Sequence, residues 1–212
     1  MVAHEYAHGY VAFRNGDPTA YQLGRLTWNP VKHIDPFLTI LLPVMMYLLT
    51  NGAVMFGGAK PIPVNPRNYR NFKRGDIAVS LAGVTTNVII ALLLIPVIVA
   101  IGLIGRVAPG ASETLSVFQV MFRLGIFINL VLAAFNLIPI PPLDGSHVMK
   151  YLLPPAWGLG YQRIGRYGFL ILILLLNFGR GLIQLWLTPV YLLAGAADRV
   201  IFPFIIPSEW TM

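Results

Sequence analysis

Cysteine is absent from all 212 residues, and charge is scarce: only 11% of the chain is Asp, Glu, Lys or Arg, against roughly a quarter in an ordinary soluble domain. The first absence excludes disulfides, thiolate metal ligands and a cysteine nucleophile. It leaves histidine and carboxylate as the side chains able to hold a metal. The second excludes water as the main solvent, because 57% of the residues are hydrophobic. Several stretches stay apolar for most of the roughly 20 residues that a bilayer-crossing helix needs. Low-complexity tracts and internal repeats are missing too, so an inverted-repeat transporter has no support. The net charge of +7 is spread over short loops rather than massed on one face. That argues against a nucleic-acid partner and reads instead as a topology signal.

What is present is the pattern of an all-α polytopic membrane protein, a transmembrane helix bundle forming a single integral membrane domain over residues 1–212. Residues 1–14 read as the end of a helix closed by Asn15-Gly16-Asp17-Pro18, which joins residues tolerant of left-handed backbone to a helix breaker. From Tyr21 to Asp35 the run YQLGRLTWNPVKHID predicts a small β-hairpin or loop. Residues 37–57 are long enough to span, but Pro43 and Asn51-Gly52 interrupt them, so a re-entrant segment is an alternative. The Gly58–Gly75 loop carries Lys60, Arg67, Arg70, Lys73 and Arg74 and is expected on the cytoplasmic side. Spans are expected over Asp76–Gly105 and Leu115–Ile138, with the sparsely charged Arg106–Thr114 loop outside and the stretch up to Arg166 inside. Tyr167–Ala194 is apolar but broken near Asn177–Gly181, as one long helix or two short ones.

The chemistry starts at His4-Glu5-Tyr6-Ala7-His8. Two histidines four apart lie on one helix face, where both imidazoles can reach one metal. The glutamate between them is placed to take a proton from water activated by that metal. A five-residue pattern with three fixed positions also arises by chance. Ionisable residues in so apolar a chain are nevertheless costly and usually functional.

A catalytic zinc takes three protein ligands and keeps one position open, so one ligand must come from elsewhere. Candidates are His33, His147 and the carboxylates at membrane depth. Among these Asp144 stands out, closing the run NLIPIPPLDG in which three prolines force the helix to unwind within a polar environment. On local sequence alone Asp144 reads equally well as a surface turn residue at a helix end.

Here the chain resembles the site-2 protease family of intramembrane zinc metalloproteases, of the short prokaryotic type. HEYAHGYVAFRNGDPTA resembles the family's HExxH helix and the segment after it. GRLTWNPVKHIDP and AKPIPVNPRNYR resemble its next landmarks, AGVTTN the asparagine-bearing motif of its central helix, and FNLIPIPPLDG the motif supplying the third metal ligand. They occur in family order from residue 4 to about 150. The resemblance implies one zinc per chain held by His4, His8 and Asp144, Glu5 as general base, and Asn87 and Asn136 in the polar surroundings of the active site. Interhelical hydrogen bonding accounts for either asparagine as well. His33 matches a family position too, where packing is at least as good an account as catalysis. The chain departs from the family in having Val84 where proline is usual. It also has no apolar span ahead of HEYAH, so it is expected to lack its first transmembrane segment.

The implied activity is hydrolysis of peptide bonds in transmembrane substrates, by a multi-pass protein of a prokaryotic cell membrane whose partners are its substrate and the lipid bilayer. A catalytically inactive relative acting as a membrane scaffold or binding subunit is the alternative, and intact HEYAH and LDG argue against it. A transporter lined by the same charges would not need a glutamate between histidines at i and i+4.

Overall fold

The computed structural model describes residues 1–49, 51, 52 and 57–208. By internal contacts the chain forms two compact units, Met1–Thr86 and Asn87–Met212, and the boundary falls inside one long helix.

The first unit opens with α1, Val2–Arg14. It stops at the turn cluster that the sequence marks: Asn15 caps it and Gly16 takes a φ of +106°. A Cβ at Gly16 would sit 3.0 Å from the carbonyl oxygen of Asn68, so both backbone sign and space call for glycine there. Asp17 then turns inward, fully buried. Its Oδ2 accepts from the amide of Asn65 at 2.6 Å, and its Oδ1 accepts from the Asn68 side chain at 2.8 Å and from the amide and hydroxyl of Thr19. One carboxylate thus ties the end of α1 to a loop nearly fifty residues away and accepts from the first amide of α2, Thr19–Gln22.

The stretch from Tyr21 to Asp35 is not a hairpin. It holds a turn and a 3-10 helix, Pro30–His33, and no strand occurs among the described residues. The physical reason is local. Asn29 accepts from the amide of Val31 and Asp35 from those of Phe37 and Leu38, each just ahead of a proline, so two Asx-Pro starts win over the short alternation that suggested strands. The second start launches a π-helical turn, Pro36–Leu41, that runs into α3, Leu42–Leu49. Among the described residues the apolar run at 37–57 is helical from Phe37 to Leu49. Asn51 and Gly52 follow with φ of 50° and 79°. Thr50 and residues 53–56 lie outside the described residues, and the expected re-entrant segment falls partly on them. An extended segment, 57–65, leads to a 3-10 turn at Pro66–Asn68. From there α4, Phe72–Val107, rises for 36 residues.

The second unit continues along α4 into a tight turn and α5, Ser112–Asn136. It adds α6, Asp144–Leu152; α7, Pro155–Ile164; α8, Gly168–Phe178; and α9, Arg180–Ile201. Gly179 separates α8 from α9, so the broken apolar run is two helices. The three-proline run leaves 137–143 non-helical, as missing amide donors require. Among the described residues three helices are long and apolar enough to cross a membrane: Phe72–Val107, Pro109–Asn136 and Arg180–Phe204. Their shared core is Ala91, Ile98, Ile126, Leu130, Val190, Ala197 and Ile201. Apolar burial gains little against lipid tails, so close packing and hydrogen bonds must hold such helices together. Gln119 serves this end. It donates to the carbonyls of Ile98 and Phe204 and accepts from the amide of Ile206. Trp186 donates to Ala134 across α5 and α9.

Candidate metal centre

α1 presents His4 and His8 on one face, as their spacing demands, and both are buried. The ring of His8 is fixed from behind: its Nδ1 lies 2.6 Å from the carbonyl oxygen of Val79. A carbonyl can only accept, so Nδ1 carries the proton and Nε2 is the unprotonated nitrogen. That Nε2 lies 3.0 Å from Nε2 of His4. Two nitrogens bound to one tetrahedral zinc at about 2.0–2.1 Å each stand about 3.3 Å apart, so the pair is set close to the separation that a shared ion imposes.

Space for the ion comes from α4. A Cβ on Gly83 would lie 2.5 Å from Cε1 of His4 and from Nε2 of His8, and 2.6 Å from Nε2 of His4. Any side chain there would occupy the ground between the imidazole tips. Glycine in the middle of a helix costs roughly 1 kcal/mol relative to alanine, and this clearance explains its presence at position 83. The donor set, the fixed tautomer and the cradle fit a zinc ion.

Glu5 is tied to a distant part of the chain. Its Oε2 accepts a 2.8 Å hydrogen bond from the amide of Ile62, on the extended segment between Pro61 and Pro63. That segment is anchored nearby: the amide of Lys60 donates to His33 O, and Arg25 donates to the carbonyls of Lys60 and Pro61. Ile62 also packs on Gly9 of α1, where a Cβ would come within 2.4 Å of its side chain. The helix and the segment holding its glutamate are thereby fitted to each other.

The other candidate residues have these places. His33 is buried, with its Nε2 donating to Thr27 O at 2.9 Å, which is a packing role within its own loop. Asn87 lies one turn beyond Gly83 on α4 and is almost fully buried. Asn136 spends its amide on Leu132 O of its own helix, at 3.0 Å. Asp144 is the first residue of α6, half-buried, with Oδ2 inaccessible to solvent. His147 follows on the same helix and, with Ser146, Lys150, Pro141 and Tyr161, lines a cavity of about 230 Å³. Gly83 and Ile62 approach the HEYAH side chains, and motif reading passed over both. A glycine mid-helix within AGVTTN was the available signal for the first, and none existed for the second.

Residues 101–176 match the model of peptidase family M50, a region that includes Asp144 but not the HEYAH helix. The whole chain has a wider match. It is 40% identical over 183 residues to a protein of Bacillus subtilis named "Putative zinc metalloprotease YwhC", covering 86% of this chain and 78% of that one. The chain belongs to peptidase family M50, the site-2 protease family. A Mycolicibacterium smegmatis protein named "Putative zinc metalloprotease Rip2" is 31% identical over 176 residues, 83% of this chain and 62% of that protein. Its Mycobacterium tuberculosis counterpart is 30% identical over 155 residues, 54% of its length. The chain thus spans most of the Bacillus relative and a little over half of the mycobacterial ones. No solved structure matches the chain. The M50 chain is a zinc metalloprotease by family, and an integral membrane protein by family and by its apolar helices.

Proposed function

We propose that this M50 chain hydrolyses peptide bonds of transmembrane substrates within the membrane, with one zinc held by His4, His8 and Asp144 and with Glu5 as general base. The observation that carries the reading is the His4–His8 pair: two buried ring nitrogens 3.0 Å apart, one tautomer locked by Val79 O, over a glycine that leaves room for an ion. Asp144 is proposed as third ligand on the motif NLIPIPPLDG and on its partly buried carboxylate at the head of α6. Two imidazoles and a carboxylate are a hydrolase donor set that leaves one position open.

Bound zinc supplies Lewis acidity to the scissile carbonyl and lowers the pKa of water at the site. The residues of the chain do the rest. Glu5 takes a proton from the attacking water as the water oxygen bonds to the carbonyl carbon. The C–N bond then breaks, and Glu5 returns that proton to the leaving amine, giving a new amino end and a new carboxylic acid end that loses its remaining proton to solvent. The Ile62 amide holds the Glu5 carboxylate in one orientation through both transfers. Asn87, buried in an apolar helix, is proposed to belong to the polar surroundings of this site, as is Asn136.

The substrate must present a locally unwound segment, because a carbonyl inside an intact helix is already hydrogen-bonded and covered. A prokaryotic cell membrane and a multi-pass arrangement belong to the same proposal, as does the mechanistic unity of residues 1–212. The test is metal content and cleavage together. Purified protein in lipid should hold one zinc per chain and cut a model single-span substrate, and a chelator should abolish both. Zinc-loaded protein that cuts no membrane segment but cuts a soluble unfolded peptide would assign the activity to another substrate class.

A further inference from the structure

In the middle of α5 an arginine faces outward. Arg123 lies about 16 Å along a 25-residue helix at a rise of 1.5 Å per residue, within a helix long and apolar enough to span. It pairs with Asp198 of α9, and the two side chains are 34% and 51% exposed on the surface of the unit. Both contacts, from Nε at 3.1 Å and from Nη2 at 3.1 Å, fall on the same oxygen, Oδ1. The Nη1 amino group and Oδ2 are left facing out. An ion pair half open on the surface of an apolar span is costly, and ionisable groups within spans mark a protein or water contact.

The surroundings are shaped for protein. Beside the pair lies a cavity of about 330 Å³ lined by Val120, Leu124, Phe127, Ala194 and Ala197. Along α9, Gly195 is exposed, with open space where a Cβ would stand. Small residues let a second helix approach closely in a membrane. The charge pattern decides which helix. The patch offers one spare guanidinium edge and one spare carboxylate oxygen, each what the other needs. Such a surface is complementary to itself under a two-fold axis, where residue i meets j and j meets i.

We propose that the α5–α9 face carrying Arg123 and Asp198 is the interface of a homodimer within the membrane. Arg123 of each copy completes the carboxylate of Asp198 in the other, and apolar side chains fill the cavity alongside. This rests on the spanning reading of α5 and α9.

The cysteine-free chain allows a clean test by oxidative crosslinking in native membranes. Gly195→Cys should give a covalent dimer, whereas Leu93→Cys, 61% exposed on α4, should not. In the Gly195→Cys background, Arg123→Gln or Asp198→Asn should reduce crosslinking to the Leu93→Cys level, and the exchange of Arg123→Asp with Asp198→Arg should restore it. If the single charge variants fail to accumulate, the contrast between the two cysteine positions, with the native pair intact, decides alone. Absence of a dimer in protein that resists alkaline extraction overturns the interface and leaves the spanning reading standing. Protein released by that extraction overturns both. A Gly195→Cys adduct with a different protein assigns the face to a substrate or another partner and equally overturns the homodimer.

Discussion

The amide of Ile62 donates to Oε2 of Glu5 at 2.8 Å, although the residues are 57 positions apart. The extended segment around Ile62 is therefore part of the catalytic apparatus proposed for this chain. Ile62→Pro removes that donor and is expected to leave zinc content unchanged, since Ile62 is not among the proposed ligands. Cleavage should fall about 10²-fold in kcat, the cost of a catalytic group displaced by about 1 Å. Unchanged kcat in the variant would mean that the hydrogen bond does not orient the base.

Gly83→Ala separates helix propensity from metal space. Alanine should stabilise an ordinary helix interior by roughly 1 kcal/mol. Here its methyl would overlap both buried imidazole tips, so zinc stoichiometry should drop and the overpacking should offset the helix-propensity gain in thermal stability. Full zinc occupancy would show that the cradle is not where the ion sits. Losing a ligand should act more severely. His4→Ala, His8→Ala and Asp144→Ala are each expected to empty most of the zinc from purified protein, because two remaining donors make a weak, open site. Retained zinc in Asp144→Ala would point to a different third ligand.

How much of the molecule is legible in the sequence differs by residue. The HEYAH face and the stop at Asn15-Gly16 can be read because both depend on local rules, spacing and backbone sign. The helices expected at Asp76–Gly105 and Leu115–Ile138 follow from apolar length and are found as Phe72–Val107 and Ser112–Asn136, whereas Tyr167–Ala194 left one helix or two open and α9 runs on to Ile201. The hairpin expected at Tyr21–Asp35 is wrong because Asn29-Pro30 and Asp35-Pro36 are helix starts, a signal present in the sequence but outweighed by a short alternation. Gly83 and Ile62 cannot be placed that way, because each matters only through the groups that approach it from a distant part of the chain.

Asp17 gives a pH dependence with a definite sign. Burial pushes its carboxyl up, but the hydrogen bonds from Asn65, Thr19 and Asn68 outweigh that and hold it below the usual carboxylate value. A group depressed in the folded state stabilises fully above its unfolded pKa, about 3.9, and loses that contribution as pH falls through the folded value. Asp17→Asn should therefore lower the unfolding temperature at pH 7, by the equivalent of about 1–3 kcal/mol. The gap from wild type should narrow below about pH 4. A gap that does not narrow would remove the charge from the explanation.

Membrane orientation can be checked with single cysteines. Arg67→Cys and Trp157→Cys should be labelled by an impermeant thiol reagent from the cytoplasmic side and Gly110→Cys from the other, as the excess of basic residues in the flanking loops demands. Labelling of all three from one side would contradict the arrangement of α4 and α5 as an antiparallel membrane-spanning pair.

The central claim is that Glu5 performs proton transfer beside a zinc held by its neighbours, and its most direct test is Glu5→Gln in lipid with a model transmembrane substrate. Glutamine keeps the shape and can still accept from the Ile62 amide, so fold and zinc content should match wild type. It cannot take a proton from water, and cleavage should fall about 10²–10⁴-fold. Zinc-loaded Glu5→Gln that cleaves as fast as wild type would contradict the account.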